Sequence, residues 1–185
     1  ISSDGGSIVV TDWETKEILF FEDFAQDIKW KYLMANSDVT SIPRATISSH
    51  GEYIAITNKD DSVELFTKDS TDYIWNLTVD GQAESIQFSE DQSRMIVGTY
   101  NDTQWSGEGD TTIYSGSTFL YDLSDQSLIW EYTDTERNLW ASYSLSDDGR
   151  YIAKCDWDSG YITLFNDSTS IPMWQYQTNA GCFDI

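Results

Sequence analysis

Short apolar segments alternate with polar turns along the whole chain, and the same order of segments occurs four times. In each copy a Ser-rich polar turn is followed by two apolar segments and then by a segment that contains Trp. The turns begin at Ser2, Ser48, Ser89 and Ser146. The Trp residues are Trp30, Trp75, Trp130 and Trp174, at intervals of 45, 55 and 44 residues. Since a period of this length indicates a repeat architecture, the chain is predicted to consist of four structural repeats.

Each repeat is predicted to contain four short β-strands separated by turns of Asp, Ser, Gly and Asn. The first strand precedes the Ser-x-Asp-Gly turn and the second follows it, the third carries a Leu-Phe-like pair such as Leu164-Phe165, and the fourth carries the Trp. No segment keeps a 3.6-residue apolar period over ten or more residues, so few helices are expected. The predicted fold class is therefore all-β, and four strands in about 40–45 residues are typical of a four-stranded antiparallel β-propeller blade.

The repeats are expected at about residues 1–42, 43–82, 83–138 and 139–181, with residues 182–185 as the first strand of a next or closing blade. Two arrangements are open for this single propeller domain. Either the four repeats close as a four-bladed ring, or they form a segment of a seven- or eight-bladed propeller. In both arrangements the repeated Trp and Phe side chains are expected to form the core between adjacent sheets.

The clearest copy of the repeat reads SDDGRYIA over residues 146–153, followed by Leu164-Phe165 and by PMWQY over residues 172–176. This pattern resembles the WD40-like and PQQ-like β-propeller repeats of archaeal and bacterial surface and secreted proteins, and the resemblance covers nearly the whole chain. It implies the fold but no particular activity, because propellers carry many functions. No cofactor is expected, since the chain has no adjacent Cys pair and no residue set suited to a quinone.

Composition and charge restrict the partners. Aromatic residues make up 15% of the 185 residues, far more than in disordered acidic chains, so the chain is expected to fold. The net charge of −22 repels nucleic-acid phosphates and anionic lipid, so neither nucleic acid nor a membrane is an expected partner. No apolar run approaches the roughly 18 residues of a membrane-spanning helix, so no direct membrane insertion is expected. His50, the one His of the chain, is assigned to a turn hydrogen bond rather than to catalysis.

Four further Trp residues fall in or beside predicted loops: Trp13, Trp105, Trp140 and Trp157. Trp105 belongs to an insertion over residues 101–116 that lengthens the third repeat. We expect these rings to lie on one face of the propeller, rimmed by carboxylates, where flat amphipathic rings suit sugar rings or peptide side chains. The alternative is that they cap the core between the blades.

Two carboxylates and three sequons are further candidates. Asp156 and Asp158 precede Gly160 in a pattern that resembles half of a calcium-binding loop, and a solvated hairpin turn is the alternative. The sequons predict glycosylation if the chain is exported, with two of them in loop-like segments and one in an outer strand. They begin at Asn76, Asn101 and Asn166.

The two Cys residues, Cys155 and Cys182, fall in neighbouring predicted strands. A disulfide between them is one interpretation, and two buried free thiols are the other.

The sequence thus predicts a non-enzymatic β-propeller scaffold for a protein or carbohydrate ligand, at the cell surface or outside the cell, with the cytoplasm as the alternative location. No spacing of carboxylates singles out an acid–base pair for hydrolysis. Two other functions stay open. One is an architectural subunit of a surface layer or filament that self-assembles through propeller edges, and the other is a propeller glycosidase or lyase.

Overall fold

The computed structural model describes residues 1–12, 14–34, 44–58, 61–103, 113–134, 141–157 and 159–185. They form two compact units, Ile1–Val79 and Asp80–Ile185. Every regular secondary-structure element in the described ranges is a β-strand, so the all-β prediction is confirmed.

The first unit contains two antiparallel sheets in which each strand pairs with the next one along the chain. Sheet 1 consists of β1 (Ser7–Asp12), β2 (Glu17–Glu22) and β3 (Trp30–Leu33). Sheet 2 consists of β4 (Arg44–Ile47), β5 (Tyr53–Thr57), β6 (Ser62–Thr67) and β7 (Trp75–Thr78).

The second unit contains two four-stranded sheets with the same meander order. Sheet 3 consists of β8 (Gln82–Phe88), β9 (Arg94–Thr103), β10 (Ile113–Asp122) and β11 (Ser127–Asp134). Sheet 4 consists of β12 (Ala141–Leu145), β13 (Tyr151–Asp156), β14 (Tyr161–Asn166) and β15 (Thr169–Gln177). The prediction of a loop over residues 101–116 is wrong at both ends, because residues 101–103 and 113–115 extend the pairing of β9 with β10.

The core of the first unit lies between sheets 1 and 2. Because side chains alternate between the two faces of a strand, Trp30 and Tyr32 of β3 share one face. The ring of Phe66 from sheet 2 lies 6.4 Å from the Trp30 ring and 4.8 Å from the Tyr32 ring, measured between centroids. Phe66 is fully buried in the cluster that these side chains form with Ile54 and Phe20.

The core of the second unit repeats this arrangement. The Phe165 ring of sheet 4 lies 5.4 Å from the Trp130 ring and 5.0 Å from the Tyr132 ring of sheet 3. Ile152, the cross-strand partner of Phe165, is fully buried beside it. The expected core position of the repeated Trp therefore holds for Trp130, which is 7% exposed.

The core prediction is wrong for Trp174, which is 48% exposed. Phe165 points toward sheet 3, so the adjacent Leu164 and its cross-strand partner Trp174 lie on the opposite face of sheet 4.

The Ser-x-Asp-Gly-like turns share one hydrogen-bond pattern, which explains why the motif repeats. In the last of them the Ser146 hydroxyl donates to Asp148 over 2.8 Å and accepts from the Tyr151 N–H over 3.0 Å. The Gly149 N–H closes the turn on the Ser146 carbonyl over 2.8 Å. The same three bonds occur in the turns that begin at Ser2 and Ser89.

The second of these turns carries His50 at the Asp position. The Ser48 hydroxyl still accepts from the Tyr53 N–H over 3.0 Å, and the Gly51 N–H still donates to the Ser48 carbonyl over 2.9 Å. His50 Nδ1 lies 3.2 Å from the Ser49 hydroxyl oxygen. This contact agrees with the assignment of His50 to a turn.

Candidate functional site

Most of the predicted aromatic face lies outside the described residues. Trp13, Trp105 and Trp140 belong to this undescribed part of the chain, as does Asp158 of the calcium candidate. Trp157 is described, and it lies at the end of sheet 4 where β13 turns into β14. The site that can be built from the structure therefore centres on Trp157.

A disulfide joins the end of β13 to the segment after β15. Cys155 and Cys182 are bonded, with their Cα atoms 5.6 Å apart, within the usual range for a disulfide. The interpretation as two free thiols is therefore wrong. Residues 182–185 form no strand, contrary to the prediction, because this segment is bound to the end of sheet 4 through Cys182 instead of continuing a ladder.

Backbone hydrogen bonds hold residues 178–185, which we call the tail, against the β13–β14 turn. The N–H and hydroxyl of Thr178 both donate to the Gly160 carbonyl, over 2.8 and 2.9 Å. The Cys182 N–H lies 3.4 Å from the Asp156 carbonyl, and the Ser142 hydroxyl donates to the Phe183 carbonyl over 3.3 Å. The tail is thus fixed at several points along its length.

The tail places an exposed aromatic ring beside Trp157. Gly181 passes so close to the turn that a Cβ at this position would lie 2.2 Å from the Trp157 carbonyl oxygen, so only Gly fits. The next ring, Phe183, lies 5.0 Å from the Trp157 ring at an interplanar angle of 44°. Phe183 is 73% exposed. We call Trp157 and Phe183 the aromatic pair.

A buried charged cluster lies at the end of β13, which Trp157 follows directly along the chain. Lys154 Nζ is 2.9 Å from Asp156 Oδ1 and 3.4 Å from Asp134 Oδ2, with side-chain exposures of 2%, 1% and 21%. The Lys154–Asp156 contact has the distance of an ion pair, but neither Asp156 oxygen receives a well-directed hydrogen bond. The Lys154 ammonium also lies 5.6 Å from the centroid of the Tyr132 ring, within reach of a cation–π interaction.

The surroundings of this cluster change its acid–base properties. Burial disfavours the charged ammonium of Lys154, but the acidic groups that face it, Tyr143 and Asp156 first, outweigh burial and raise the pKa of Lys154. Burial raises the pKa of Asp156, and Lys154 offsets only part of that increase. Burial also raises the pKa of Tyr143, whose hydroxyl lies 2.8 Å from Thr118 Oγ1. Lys154 is therefore a persistent buried cation at neutral pH.

This cluster was not predicted from the sequence, although a signal for it was present. Tyr151 and Tyr53 occupy the same position after their turns, so Lys154 corresponds to Ile56, which is fully buried. A Lys at a position that is apolar in another repeat indicates either a surface residue or a compensated buried charge. Asp156, two residues further along the same strand, favours the second.

The ion-pair contact of Asp156 bears on its prediction as a calcium ligand. The Asp156 carboxylate is directed at the Lys154 ammonium. Among the described residues, no group of three or more His, Cys, Asp or Glu side chains could hold a metal ion.

The three sequon Asn residues lie in different settings. Asn76 is exposed on β7, the outer strand of sheet 2. The Asn101 amide donates to Asp80 over 3.1 Å, and Asn101 is part of β9 rather than of a loop. The Asn166 side-chain carbonyl accepts from the Ser168 N–H and hydroxyl, over 3.0 and 2.7 Å. Glycosylation stays a prediction, with Asn76 the most accessible of the three.

No helix in the described ranges is long and apolar enough to cross a membrane.

Comparisons with known proteins bear on the fold. No family model and no curated protein matches the chain. In contrast, 931 chains of solved structures match it, so the arrangement of strands is widespread and defines no single activity. One of them is hydrazine synthase of Kuenenia stuttgartiensis, with a TM-score of 0.68 and 14% sequence identity. The match covers 95% of this chain and 47% of that one, so this chain spans about half the length of its structural neighbour.

The prediction that the chain is not an enzyme is contradicted by this likeness. The same fold occurs in a protein that is named as a synthase. The architecture therefore gives no ground for excluding catalysis, and at 14% identity the likeness itself shows only the fold.

Proposed function

We propose that the four sheets are blades of a β-propeller, either a closed four-bladed ring or a segment of a larger one. Three observations support this proposal. The described sheets are antiparallel meanders of three or four strands, as propeller blades are. Sheets 1 and 2, and likewise sheets 3 and 4, stack so that equivalent aromatic residues meet. The repeat pattern also resembles the WD40-like and PQQ-like propeller repeats.

We further propose that the chain is an interaction module that binds a protein or carbohydrate ligand through the aromatic pair. The observation that carries this proposal is the position of Phe183, which is 73% exposed although a disulfide and several hydrogen bonds fix the tail around it. Exposure of a large ring costs hydrophobic free energy, so a ring that is both exposed and fixed suits contact with a partner. Fixing the ring in advance also lowers the entropic cost of binding.

A location outside the cell is part of this proposal. Disulfides persist in oxidising compartments and are rare in the cytosol, which favours export for the Cys155–Cys182 bond. The exposed sequon at Asn76 and the net charge of −22 are compatible with a secreted, highly soluble protein.

The test applies the labelled chain to a printed array of oligosaccharides and to a displayed library of random linear peptides. We expect binding to one ligand class, and a loss of at least tenfold in affinity for Phe183→Ala and Trp157→Ala. The matched control is Phe24→Ala, because Phe24 is 82% exposed and lies in the first unit. Unchanged binding in both variants, or no binding to either collection, would refute the proposal.

Chromatography of a bound oligosaccharide after incubation separates binding from cleavage. Intact oligosaccharide supports a binding module. Shortened products would identify a glycosidase or lyase instead, and the Phe183→Ala variant would then be examined for turnover.

A further inference from the structure

The two units share one packing scheme in their cores. In each unit a Trp and a Tyr, two residues apart on the last strand of the first sheet, receive a Phe from the second sheet. We call the Trp and the Tyr the clasp. The contacts are those of Trp30 and Tyr32 with Phe66, and of Trp130 and Tyr132 with Phe165. These aromatic contacts are too alike to determine which second sheet packs on which first sheet.

Charged residues distinguish the second unit beside its clasp. Lys154 Nζ of sheet 4 lies 3.4 Å from Asp134 Oδ2 of sheet 3. Asp134 and Met34 occupy the same position, four residues after the clasp Trp, and Lys154 corresponds to Ile56. Met34 and Ile56 belong to one buried apolar cluster. A charged pair therefore stands in the second unit where an apolar pair stands in the first.

Shape also distinguishes the second unit. The Tyr143 ring of sheet 4 occupies the space above Gly98 of sheet 3, where a Cβ would lie 2.3 Å from the ring. The Tyr143 hydroxyl lies 2.8 Å from Thr118 Oγ1 of sheet 3. By strand register, the residues of the first unit that correspond to Tyr143, Gly98 and Thr118 are Ala45, Thr11 and Ile18. Sheet 1 thus has a side chain in place of the glycine and an aliphatic side chain in place of the Thr118 hydroxyl.

Stability alone gives no reason for the charged pair. Replacing a buried ion pair by apolar residues is commonly neutral or stabilising, whereas removing one partner is strongly destabilising. Sheet 4 on the clasp of sheet 1 would separate Lys154 from Asp134. Sheet 2 on the clasp of sheet 3 would place Asp134 beside Ile56. An exchange of sheets is therefore penalised in both directions.

We propose that four residues select the partner of each sheet, so that sheet 4 packs on sheet 3 and not on the clasp of sheet 1. We call them the selecting residues: Gly98, Asp134, Tyr143 and Lys154. Like units of one chain, or of two copies, are prone to wrong assembly, and the selecting residues add a cost to each wrong pair. This inference does not depend on ligand binding by the aromatic pair, because it rests on the contact between sheets 3 and 4.

The Trp30 indole reports which sheet covers the clasp of sheet 1. Its Nε1–H donates to the carbonyl of Lys68, in the turn after β6 of sheet 2, over 2.9 Å. A different sheet on this clasp breaks that hydrogen bond, so the indole N–H resonance shifts. The number of Trp30 signals in a proton–nitrogen correlation spectrum therefore gives the number of pairing states, whatever the oligomeric state. The Trp30→Phe variant assigns the signal.

The experiment refolds each protein from urea, with the disulfide intact, and then records this spectrum. The wild type should give one Trp30 signal. Two variants replace residues of the second unit by those of the first. The charge variant carries Asp134→Met, Lys154→Ile and Asp156→Asn, and the full variant adds Gly98→Thr, Thr118→Ile and Tyr143→Ala. The full variant should give a second Trp30 signal, because sheet 4 then fits the clasp of sheet 1, and the charge variant should give a smaller one.

Ile152→Val is the matched control. Ile152 is fully buried in the contact between sheets 3 and 4, so the substitution weakens packing there without changing a selecting residue. It should leave one Trp30 signal. A second signal as large as that of the full variant would overturn the proposal, since lowered stability alone would then cause wrong pairing.

A single Trp30 signal in the full variant would overturn the proposal as well. Near-UV circular dichroism checks folding, and the charge variant decides in place of a full variant that does not fold. One Trp30 signal in the charge variant then contradicts the proposal. So does a charge variant that itself fails to fold, because the charges would then be required for stability rather than for the choice of partner.

Discussion

Gly98 in β9 lies directly against the ring of Tyr143 in β12. A Cβ on residue 98 would be 2.3 Å from Tyr143 Cε2 and 2.7 Å from its hydroxyl oxygen. Tyr143 is 3% exposed, and its hydroxyl lies 2.8 Å from Thr118 Oγ1 on the strand next to β9. The absence of a side chain at residue 98 thus allows the Tyr143 ring of sheet 4 to pack into sheet 3.

We expect Gly98→Ala to lower the free energy of unfolding by about 2 kcal/mol, because the added methyl group overlaps a buried ring that has no room to move. Urea denaturation of the wild type and the variant measures the loss. In a Tyr143→Leu background the same substitution should cost clearly less, since the ring that it overlaps is gone. An equal cost in both backgrounds would show that the Gly98–Tyr143 contact is not the cause.

The sequence predicts this architecture well because its signals are local. In the turns that begin at Ser2 and Ser146, a Ser hydroxyl, an Asp carboxylate and a Gly form the turn within six residues. The apolar alternation of the flanking strands determines which side chains share a face. Trp130 and Trp174 carry the same local signal, yet one is buried and the other is half-exposed. Burial of such a face depends on a sheet elsewhere in the chain, which no local pattern encodes.

The site is less predictable for a related reason. The path of residues 178–185 decides whether Cys155 and Cys182 meet, and it follows from contacts at Gly160 and Gly181 rather than from strand periodicity. Lys154 could have been recognised by comparing the repeats, because Ile56 stands at its position in sheet 2. Its partner Asp134 comes from a different sheet, so the compensation of its charge is a tertiary property.

We expect Lys154→Met to lower the free energy of unfolding at pH 7 by about 3–5 kcal/mol, because it leaves the buried Asp156 carboxylate without its counter-charge. Burial already raises the pKa of Asp156, and loss of the ammonium raises it further. A group whose pKa is raised by folding favours the folded state once it is protonated. The deficit of the variant should therefore shrink as the pH falls from 7 toward 5.

The measurement is urea denaturation of wild type and Lys154→Met at pH 7 and pH 5. The double variant Lys154→Met, Asp156→Asn is the control, and its deficit should change little with pH because the carboxylate has been removed. If the deficit of Lys154→Met is the same at both pH values, the unpaired Asp156 does not explain it.

The Cys155–Cys182 disulfide is expected to stabilise the chain by about 3–4 kcal/mol in the chain-entropy model, since it closes a loop with a sequence separation of 27. The variant Cys155→Ala, Cys182→Ala should lose that amount in urea denaturation. Hydrogen exchange should show loss of protection at the amide of residue 182, whereas the Thr178 amide, bonded to the Gly160 carbonyl over 2.8 Å, stays protected. Equal stability of the two proteins would show that the tail is held by its other contacts alone.

Substitutions at two turn glycines distinguish the cost of backbone strain from the cost of a close side-chain contact. Gly149 (φ +64°) and Gly5 (φ +73°) both adopt the left-handed conformation, in which a Cβ costs about 1 kcal/mol or more. A Cβ on Gly149 would lie 2.5 Å from Arg94 Cγ, whereas a Cβ on Gly5 would lie 3.7 Å from Phe24. Gly149→Ala should therefore be more destabilising than Gly5→Ala, by about 1–2 kcal/mol in urea denaturation. Equal losses would mean that Arg94 moves aside freely.

Alkaline pH should destabilise the second unit through Tyr121. Burial first, and then the nearby Glu131 carboxylate, raise the pKa of Tyr121 from 10.0 to about 12. Because the pKa is higher in the folded state, the stabilisation is complete below about pH 10 and is lost as the pH rises toward 12. A difference of about two pKa units corresponds to about 2–3 kcal/mol.

Urea denaturation between pH 9 and pH 12 tests this expectation. Tyr121→Phe removes the ionisable hydroxyl, so the variant should lose about 2–3 kcal/mol less than the wild type over this range. Tyr176→Phe is the matched control for the loss of a Tyr hydroxyl, because Tyr176 is 64% exposed and belongs to the same unit. A wild-type profile that is no steeper than that of Tyr121→Phe would show that the Tyr121 side chain ionises without unfolding the sheet around it.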